Sequence, residues 1–270
     1  IACAEAGVKG VTNDKPSAAR LSDADAMVEA CESRGVVYGG GNLQRAMYEV
    51  QEAAQWINEG RYGELIGACV QTFSREISGG GCQQISVLRL FSNAEIDELI
   101  AWGSPQEALE SDTDVGLTIN GVFRMTSGLE CQVLGPNTPY GGVDVWTDDS
   151  LIRWDWDVPE IYQGFNENGS RTRLDVEYTP NEWARFYYLG SSIRSFVAAV
   201  RTGSKLRISG HDLRQALEAA IASKLSAQLG SVPVKLPLED RSLTLYPSPA
   251  RWEGHPQSLE DAAKPWAGYR

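Results

Sequence analysis

The stretch best suited to chemistry is Asn13-Asp14-Lys15-Pro16, which follows a β-branched pair at Val11 and Thr12. The pair predicts a short strand. Pro16 disfavours the helical conformation for Lys15, which therefore lies at the carboxyl end of that strand, where open α/β sheets bind ligands. A desolvated lysine there can transfer a proton near neutral pH. The alternative is an exposed lysine without a role, and the tripeptide Asp14-Lys15-Pro16 by itself favours this alternative.

A second candidate is the glycine-rich stretch Gly39-Gly40-Gly41-Asn42, which follows the short predicted strand Val36-Val37-Tyr38. A turn of this kind between a strand and a helix can cradle a phosphate. However, Gln44 stands where the last glycine of the dinucleotide fingerprint belongs, and no acidic residue follows at the required distance. We therefore interpret the glycines as a tight turn with close backbone packing.

Composition excludes several classes of protein. The chain of 270 residues carries a net charge of −12 with a pI near 4.7, which argues against nucleic-acid binding. No apolar run reaches the length of a membrane span. The five cysteines are scattered and match neither a zinc spacing nor a disulfide framework, so we expect a cytoplasmic protein without a metal site.

The segment from Asp14-Lys15-Pro16 to Ala30 resembles the one that begins at the Glu-Lys-Pro motif of Gfo/Idh/MocA oxidoreductases, with Asp14 in place of the glutamate. The resemblance implies that Lys15 lies beside the nicotinamide of NAD or NADP and the reacting carbon of a sugar-like substrate. It also implies that Asp14, Lys15, Pro16 and Asn42 contact the cofactor. Arg45, the last residue of a Gly-x-Asn-x-x-Arg match that begins at Gly40, is then expected at the substrate.

One departure from the family pattern concerns acid/base catalysis. After Gly79-Gly80-Gly81 the family carries an aspartate and, four residues later, a histidine, but this chain has Ile85 and Arg89 there. Neither residue can take a proton from a substrate hydroxyl. We expect Arg89 either to act in the site as an anion anchor or to pair with a carboxylate, the more common outcome.

The predicted architecture is α/β followed by α+β. Residues 1–62 read as the C-terminal part of a dinucleotide-binding-like domain, with a helix capped by Ser22. Residues 63–238 read as an open, mainly antiparallel sheet with helices on one face and a closing helix at 210–229. Residues 239–270 form an extended tail that contains Pro and Trp. Because the chain starts in an apparent helix end, we expect most of the N-terminal dinucleotide-binding domain to be missing.

Four aromatic residues, Trp146, Trp154, Trp156 and Tyr162, lie near carboxylates in the predicted sheet. Such a group suits sugar stacking, and Trp154 is our candidate for substrate binding. A sheet face buried between subunits uses the same residue types, and this alternative is slightly favoured. We therefore expect a homo-oligomer formed through the sheet.

Two functions remain open from the sequence. The first is an NAD(P)-dependent oxidoreductase that acts on a sugar, polyol or related alcohol, supported by Asp14-Lys15-Pro16 and Asn42. The second is a truncated relative without redox chemistry, either a cofactor-independent hydrolase or lyase or a binding domain. The missing first glycine-rich turn and the lost aspartate and histidine favour the second, in which the chain uses no cofactor. On the family resemblance we choose the oxidoreductase and keep the second function as the alternative.

Overall fold

The computed structural model describes residues 1–41, 43–74, 76–135, 141–182 and 187–247, and for Tyr187 the backbone only. Asn42, predicted at the cofactor, and the tail beyond residue 247 lie outside the described residues. In the described residues of the first part of the chain, three α-helices and one 3-10 turn stand before, between and after two strands. These elements are α1 (Ala2–Glu5), β1 (Gly10–Thr12), α2 (Leu21–Glu32), β2 (Val37–Gly39), a 3-10 turn (Gln44–Ala46) and α3 (Tyr48–Asn58).

Strands β1 and β2 form a parallel pair, with Val11 opposite Tyr38. Parallel neighbours need a crossover connection, and α2 supplies it. The residues that follow the two strands, 13–16 and 40–41, therefore leave the same edge of this small sheet. The lysine predicted at a strand end does follow β1.

Helix α2 corrects the predicted cap. It begins at Leu21, after Arg20, and no side chain among the described residues caps it. Instead, the amide of Leu21 donates to the Leu243 carbonyl at 3.1 Å and the amide of Ser22 donates to the Arg241 carbonyl at 2.7 Å. A distant backbone segment thus satisfies N–H groups that a capping serine otherwise serves.

The second part is built on a large sheet with helices between its strands. Its elements are β3 (Gly67–Val70), a π-helical turn (Ile77–Gly81), α4 (Cys82–Ser92), β4 (Ile96–Ser104), α5 (Gln106–Glu110), β5 (Thr118–Met125), β6 (Glu130–Val133), β7 (Val143–Trp146), β8 (Ser150–Trp154), β9 (Glu160–Phe165), β10 (Arg171–Arg173), α6 (Tyr187–Thr202), α7 (Gly210–Gln228) and β11 (Val234–Lys235). The strand order is β10-β9-β8-β7-β3-β6-β5-β4-β11.

Only the β3–β6 pair in this sheet is parallel, and the other described pairs are antiparallel. This confirms the predicted open, mainly antiparallel sheet. One face is covered by α4 and α7, which pack on each other and on the strands. Along β5 the residues Ile119, Phe123 and Met125 alternate into that core, as period-2 geometry requires.

The closing helix α7 begins at Gly210, the predicted position, and reaches back to the first part of the chain. Arg214 on α7 donates to Asp25 on α2 at 3.1 Å, and Gly210 lies against the Tyr38 ring. Helix α6 covers β1 so closely that a Cβ on Gly10 would lie 2.7 Å from the side chains of Phe196 and Val200. These two helices position the ends of β1 and β2.

The outer face of the sheet carries an exposed aromatic side chain. Trp102 on β4 is 51% exposed and alternates with the buried Ala101, and Phe165 at the end of β9 is 63% exposed. Self-association through this face stays a prediction. None of the helices in the described ranges is both long enough and apolar enough to cross a membrane.

Candidate functional site

Lys15 lies in the loop that follows β1, and its neighbours are held in place by hydrogen bonds. Tyr38 Oη on β2 donates to Asn13 Oδ1 at 3.1 Å, and Asn13 Nδ2 donates to the Ser17 carbonyl at 3.1 Å. The amide of Lys15 donates to Asp14 Oδ1 at 2.8 Å. Lys15 is partly buried. The loop that carries Asp14, Lys15 and Pro16 is therefore anchored to both strands.

The glycine turn after β2 is filled by protein atoms. A Cβ on Gly39 would overlap the Ile208 carbonyl oxygen, and one on Gly40, at φ +92°, would overlap Thr12 Oγ1. The Gly41 carbonyl accepts from Ser192 Oγ of α6 at 3.0 Å. These contacts fit the interpretation as a tight turn with close backbone packing. They leave no open phosphate cradle at this turn.

Two glutamines at the start of α4 join the loops, and the sequence did not single them out for this. Gln83 Oε1 accepts from the amide of Gln44 at 2.7 Å. Gln84 Nε2 donates to the Gln71 carbonyl at 2.9 Å, while its Oε1 accepts from the Ser74 amide at 3.1 Å. Both glutamines are buried. The signal that could have found them is the pair of long amides directly after three glycines.

Trp156 contacts the 3-10 turn after β2, and its position argues against the choice of Trp154. Because β8 alternates its side chains, Trp154 points into the core and is fully buried. Trp156 lies two residues beyond the end of β8 and packs against Trp154, with ring centroids 5.1 Å apart and ring planes tilted by 50°. Its carbonyl accepts from Gln44 Nε2 at 3.1 Å, and it is only partly buried. A fully buried Trp154 cannot stack on a substrate.

Arg45 and Arg89 meet on one carboxylate, Asp212, at the start of α7. Arg45 Nη2 lies 3.2 Å and Arg89 Nη2 lies 3.4 Å from Asp212 Oδ1. Arg89 also makes a two-pronged bond with Glu95, at 2.6 and 2.7 Å. Burial by itself raises the pKa of Asp212, but the two guanidinium groups and Ser209 hold that pKa below its usual value. The structure thus places Arg89 in an ion pair, the more common of the two expected outcomes.

The geometry also revises the role expected of Arg45. Its Nε donates to the Arg207 carbonyl at 3.2 Å and its Nη1 to the Ser86 carbonyl at 3.1 Å. With Asp212 on Nη2, these bonds tie the 3-10 turn to α4 and to the segment before α7. The charges of Arg45 and Arg89 are already neutralised by Asp212 and Glu95. This does not fit the roles expected from the sequence, an anion anchor for Arg89 and a substrate contact for Arg45. Both arginines hold elements together.

No cluster of three or more His, Cys, Asp or Glu side chains that could hold a metal ion occurs within the described ranges. The neutral polar side chains described above are the amides of Asn13, which follows β1, of Gln44, in the 3-10 turn, and of Gln83, at the start of α4; the Trp156 ring lies beyond the end of β8. Such groups recognise hydroxyls and apolar sugar faces rather than strong charges.

The fold is similar to that of solved structures of one class, the Gfo/Idh/MocA-type oxidoreductases. Solved structures of this class match most of the chain at low sequence identity. No family model and no curated protein sequence matches it. At this level of identity the likeness shows the fold alone.

Three of these structures illustrate the match. The aldose-aldose oxidoreductase of Caulobacter crescentus, in complex with glycerol, has 17% identity, covers 87% of this chain and 74% of its own, with a TM-score of 0.68. An Agrobacterium radiobacter oxidoreductase with NAD+, L-tartaric acid and magnesium has 18% identity, 86% and 74% coverage and a TM-score of 0.64. An inositol dehydrogenase homologue of Azotobacter vinelandii with NADH and myo-inositol has 15% identity, 87% and 73% coverage and a TM-score of 0.63.

A nicotinamide dinucleotide does not fit the glycine turn of this chain. Its pyrophosphate needs backbone N–H groups at a helix start that is approached through open glycines. Here Thr12, Ile208 and Ser192 occupy the space and the bonds around Gly39, Gly40 and Gly41, and the first amides of α2 are paired with the segment at 241–243. The described residues therefore supply no pyrophosphate site at either helix start.

Proposed function

We propose that this chain forms the substrate-binding part of an oxidoreductase that acts on a sugar, polyol or related alcohol, with Lys15 as the proton-transferring group. The observation that carries the proposal is the anchored loop at the carboxyl end of β1, in a fold shared with oxidoreductases. Neighbouring proteins of this fold were solved with glycerol and with myo-inositol, which supports polyhydroxylated substrates. The amide of Asn13 in this loop, and the Gln44 amide and Trp156 ring beside the loop after β2, suit such molecules.

Lys15 acts on the substrate oxygen in this proposal. When an alcohol is oxidised, its hydroxyl loses a proton, and a neutral lysine within hydrogen-bond reach accepts that proton. In the reverse direction the ammonium donates it to the carbonyl oxygen. NAD or NADP would supply the redox chemistry, with its phosphates held by groups other than the filled glycine turn.

The test compares Lys15→Ala with Lys9→Ala, a matched loss of one exposed lysine just before β1. A panel of polyols and aldoses is incubated with NAD+ or NADP+, and reduced nicotinamide is followed by absorbance. Loss of a general acid/base lowers kcat about 10²–10⁴-fold. We expect this loss in Lys15→Ala and unchanged turnover in Lys9→Ala. Equal activity in the two variants would remove Lys15 from the mechanism.

A second experiment addresses the polyol site itself. Trp156→Leu is expected to weaken polyol binding, measured by calorimetry, while the melting temperature changes little. Trp154→Leu is expected to lower stability by about 3 kcal/mol, since it removes a fully buried ring from the core. Polyol binding that is insensitive to Trp156→Leu would place the substrate elsewhere.

The non-redox alternative remains the second proposal, since the filled turn favours it. Ile85 is fully buried and Arg89 is ion-paired, so the two family acid/base positions carry no proton acceptor. Under this proposal Lys15 serves a cofactor-independent hydrolase or lyase. Titration of NADH and NADPH, followed by their fluorescence, separates the two functions. Micromolar binding by this chain would refute the non-redox proposal, and polyol binding without dinucleotide binding would support it.

We also propose that the outer face of the sheet joins copies of this chain. The exposed Trp102 and the partly buried Ile100, on the same side of β4, give that face apolar groups that a free monomer leaves in water. Light scattering at micromolar concentration is expected to return a mass above that of the 29.5 kDa chain. A monomer mass would count against this interface.

A further inference from the structure

A polar cavity of about 700 Å³ lies beside the ion-paired arginines, between α3, the end of α4 and the segment that precedes α7. Its volume falls within the range of small-molecule sites, roughly 300–1,000 Å³. Arg45, Arg89 and Asp212 form one wall. Lys15 and the residues next to it are not among the residues that line it, so this cavity is separate from the loop at the end of β1.

The lining of the cavity carries more positive than negative charge. Of its cations, Arg45 and Arg89 are neutralised by Asp212 and Glu95. The remaining carboxylate in the lining, Glu52, accepts bonds from the amide and the hydroxyl of Thr179, at 2.8 and 2.6 Å. Two further cations in the lining, Arg207 and Lys205, complete the set. In a chain with a net charge of −12, this local excess is unusual.

Arg207 is held in place mainly by neutral groups. Its guanidinium lies over the Tyr48 ring at 3.7 Å and its Nη1 donates to the Ala46 carbonyl at 2.9 Å. Glu49 on α3 acts on its charge electrostatically, but no salt bridge to Arg207 or to the exposed Lys205 is found within the described ranges. A guanidinium carries five N–H donors in a planar fork that matches phosphate oxygens. A pre-positioned fork with donors to spare is what a phosphate group requires.

The rest of the lining supplies hydrogen-bonding groups without charge. These groups are carried by Gln51, Gln55, Asn58, Asn93 and Thr126. Amides and hydroxyls can both donate and accept, which suits a ligand that carries several hydroxyls. The cationic side and the amide side therefore select for different parts of one molecule.

We infer that this cavity binds a phosphorylated sugar-like molecule, with the phosphate on Arg207 and Lys205 and the hydroxyls on the amides. The two charges approach the phosphate from the segment before α7, and the amides come from α3 and the end of α4. This site goes beyond the proposed oxidoreductase function and uses none of the residues placed at the substrate of Lys15. Occupancy would bridge α3, the end of α4 and the segment before α7, next to the ion pairs of Asp212.

Isothermal titration calorimetry with glucose 6-phosphate, inorganic phosphate and glucose tests this inference. We expect glucose 6-phosphate to bind at least tenfold more tightly than inorganic phosphate, and glucose to be much weaker than both. Lys205→Gln and Arg207→Gln are each expected to weaken binding of the sugar phosphate about tenfold or more. Lys235→Gln, a matched change at an exposed lysine on β11, is expected to leave binding unchanged.

Three results would overturn the inference. They are equal affinity for inorganic phosphate and the sugar phosphate, equal weakening by Lys235→Gln and Lys205→Gln, and absence of binding at millimolar ligand. Lys205 is exposed, so its variant keeps the test valid if Arg207→Gln fails to fold. Lys15→Ala should bind glucose 6-phosphate with unchanged affinity, which keeps this test independent of the proposed reaction.

Discussion

Replacement of Asp212 by Asn should destabilise the protein far more than a typical surface change. Asp212 is the shared partner of Arg45 and Arg89, and its side chain is only 14% exposed, as is that of Arg45. Asp212 Oδ2 also accepts from the amide of Ser209 at 2.9 Å and from its hydroxyl at 2.8 Å, which completes the capping box of α7. The substitution keeps the shape of the side chain and one acceptor oxygen but removes the charge.

The expected magnitude follows from the geometry. Opposite charges 3.2 Å apart attract by about 5 kcal/mol at an effective dielectric constant of about 20, and desolvation offsets part of this. Loss of one partner leaves the buried Arg45 charge uncompensated, which typically costs about 3–5 kcal/mol. Arg89 retains Glu95 and is affected less. We therefore expect Asp212→Asn to lower the free energy of unfolding by about 3–5 kcal/mol.

Urea denaturation at neutral pH measures this change, with Ser209→Ala as the matched control. Ser209→Ala removes only the hydroxyl of the cap and is expected to cost about 1 kcal/mol. If Asp212→Asn costs no more than Ser209→Ala, the ion pairs contribute nothing beyond the cap, and the reasoning is refuted.

The pH dependence provides a second check on Asp212. Its folded-state pKa is lowered, so the unfolded chain takes up this proton first as pH falls. The contribution of the carboxylate is therefore complete above the unfolded pKa of about 3.9 and is lost as pH falls through the folded pKa. The stability difference between the native protein and Asp212→Asn should be constant between about pH 7 and 5 and shrink below about pH 4.

Two further changes test the packing of the loops and of the C-terminal segment. In Gly40→Ala the new Cβ would overlap Thr12 Oγ1 at a positive φ, and we expect a loss of about 2–4 kcal/mol in the free energy of unfolding. Gly7→Ala, also at positive φ but in open space, should cost about 1 kcal/mol. Thermal melting compares the two variants, and equal losses would refute the packing role of Gly40. Arg241→Gln leaves the buried Glu218 without its cation, so we expect the free energy of unfolding to fall by about 2–3 kcal/mol. Amide hydrogen exchange at residues 241–245 should become faster. Unchanged exchange would show that Arg241 does not hold this segment in place.

Local sequence rules predicted the placement of Lys15 but not the start of α2. A β-branched pair followed by Lys-Pro requires only neighbours along the chain, and such signals survive folding. The start of α2 depends on carbonyls of Arg241 and Leu243, more than 200 residues away. No local pattern carries that information. The sequence therefore predicts Ser22 as the cap of α2, whereas carbonyls of a distant segment accept the bonds from its first amides.

The aromatic and charged candidates show a second limit of sequence reasoning. Trp154 is the last residue of β8, so strand alternation turns it into the core, whereas Trp156 lies beyond the end of the strand. Composition does not distinguish the two residues, because the difference depends on where the strand ends. The ion pair of Arg89 with Asp212 could not be predicted either, because Asp212 is far along the chain. Sequence showed that Arg89 cannot take a proton, but only the fold shows which carboxylates neutralise it.

The 3-10 turn at Gln44–Ala46 joins the two parts of the molecule. Gln44 bonds to Gln83 and to the Trp156 carbonyl, so it fixes the loop after β2 against α4 and the sheet. Arg45, the next residue, bonds to Ser86 and Asp212 and fixes the same turn against α4 and α7. Two consecutive side chains thus set the position of the β1 and β2 ends relative to the sheet. Because Lys15 leaves the same edge as this loop, the position of Lys15 relative to the large sheet depends on this turn as well as on the loop after β1.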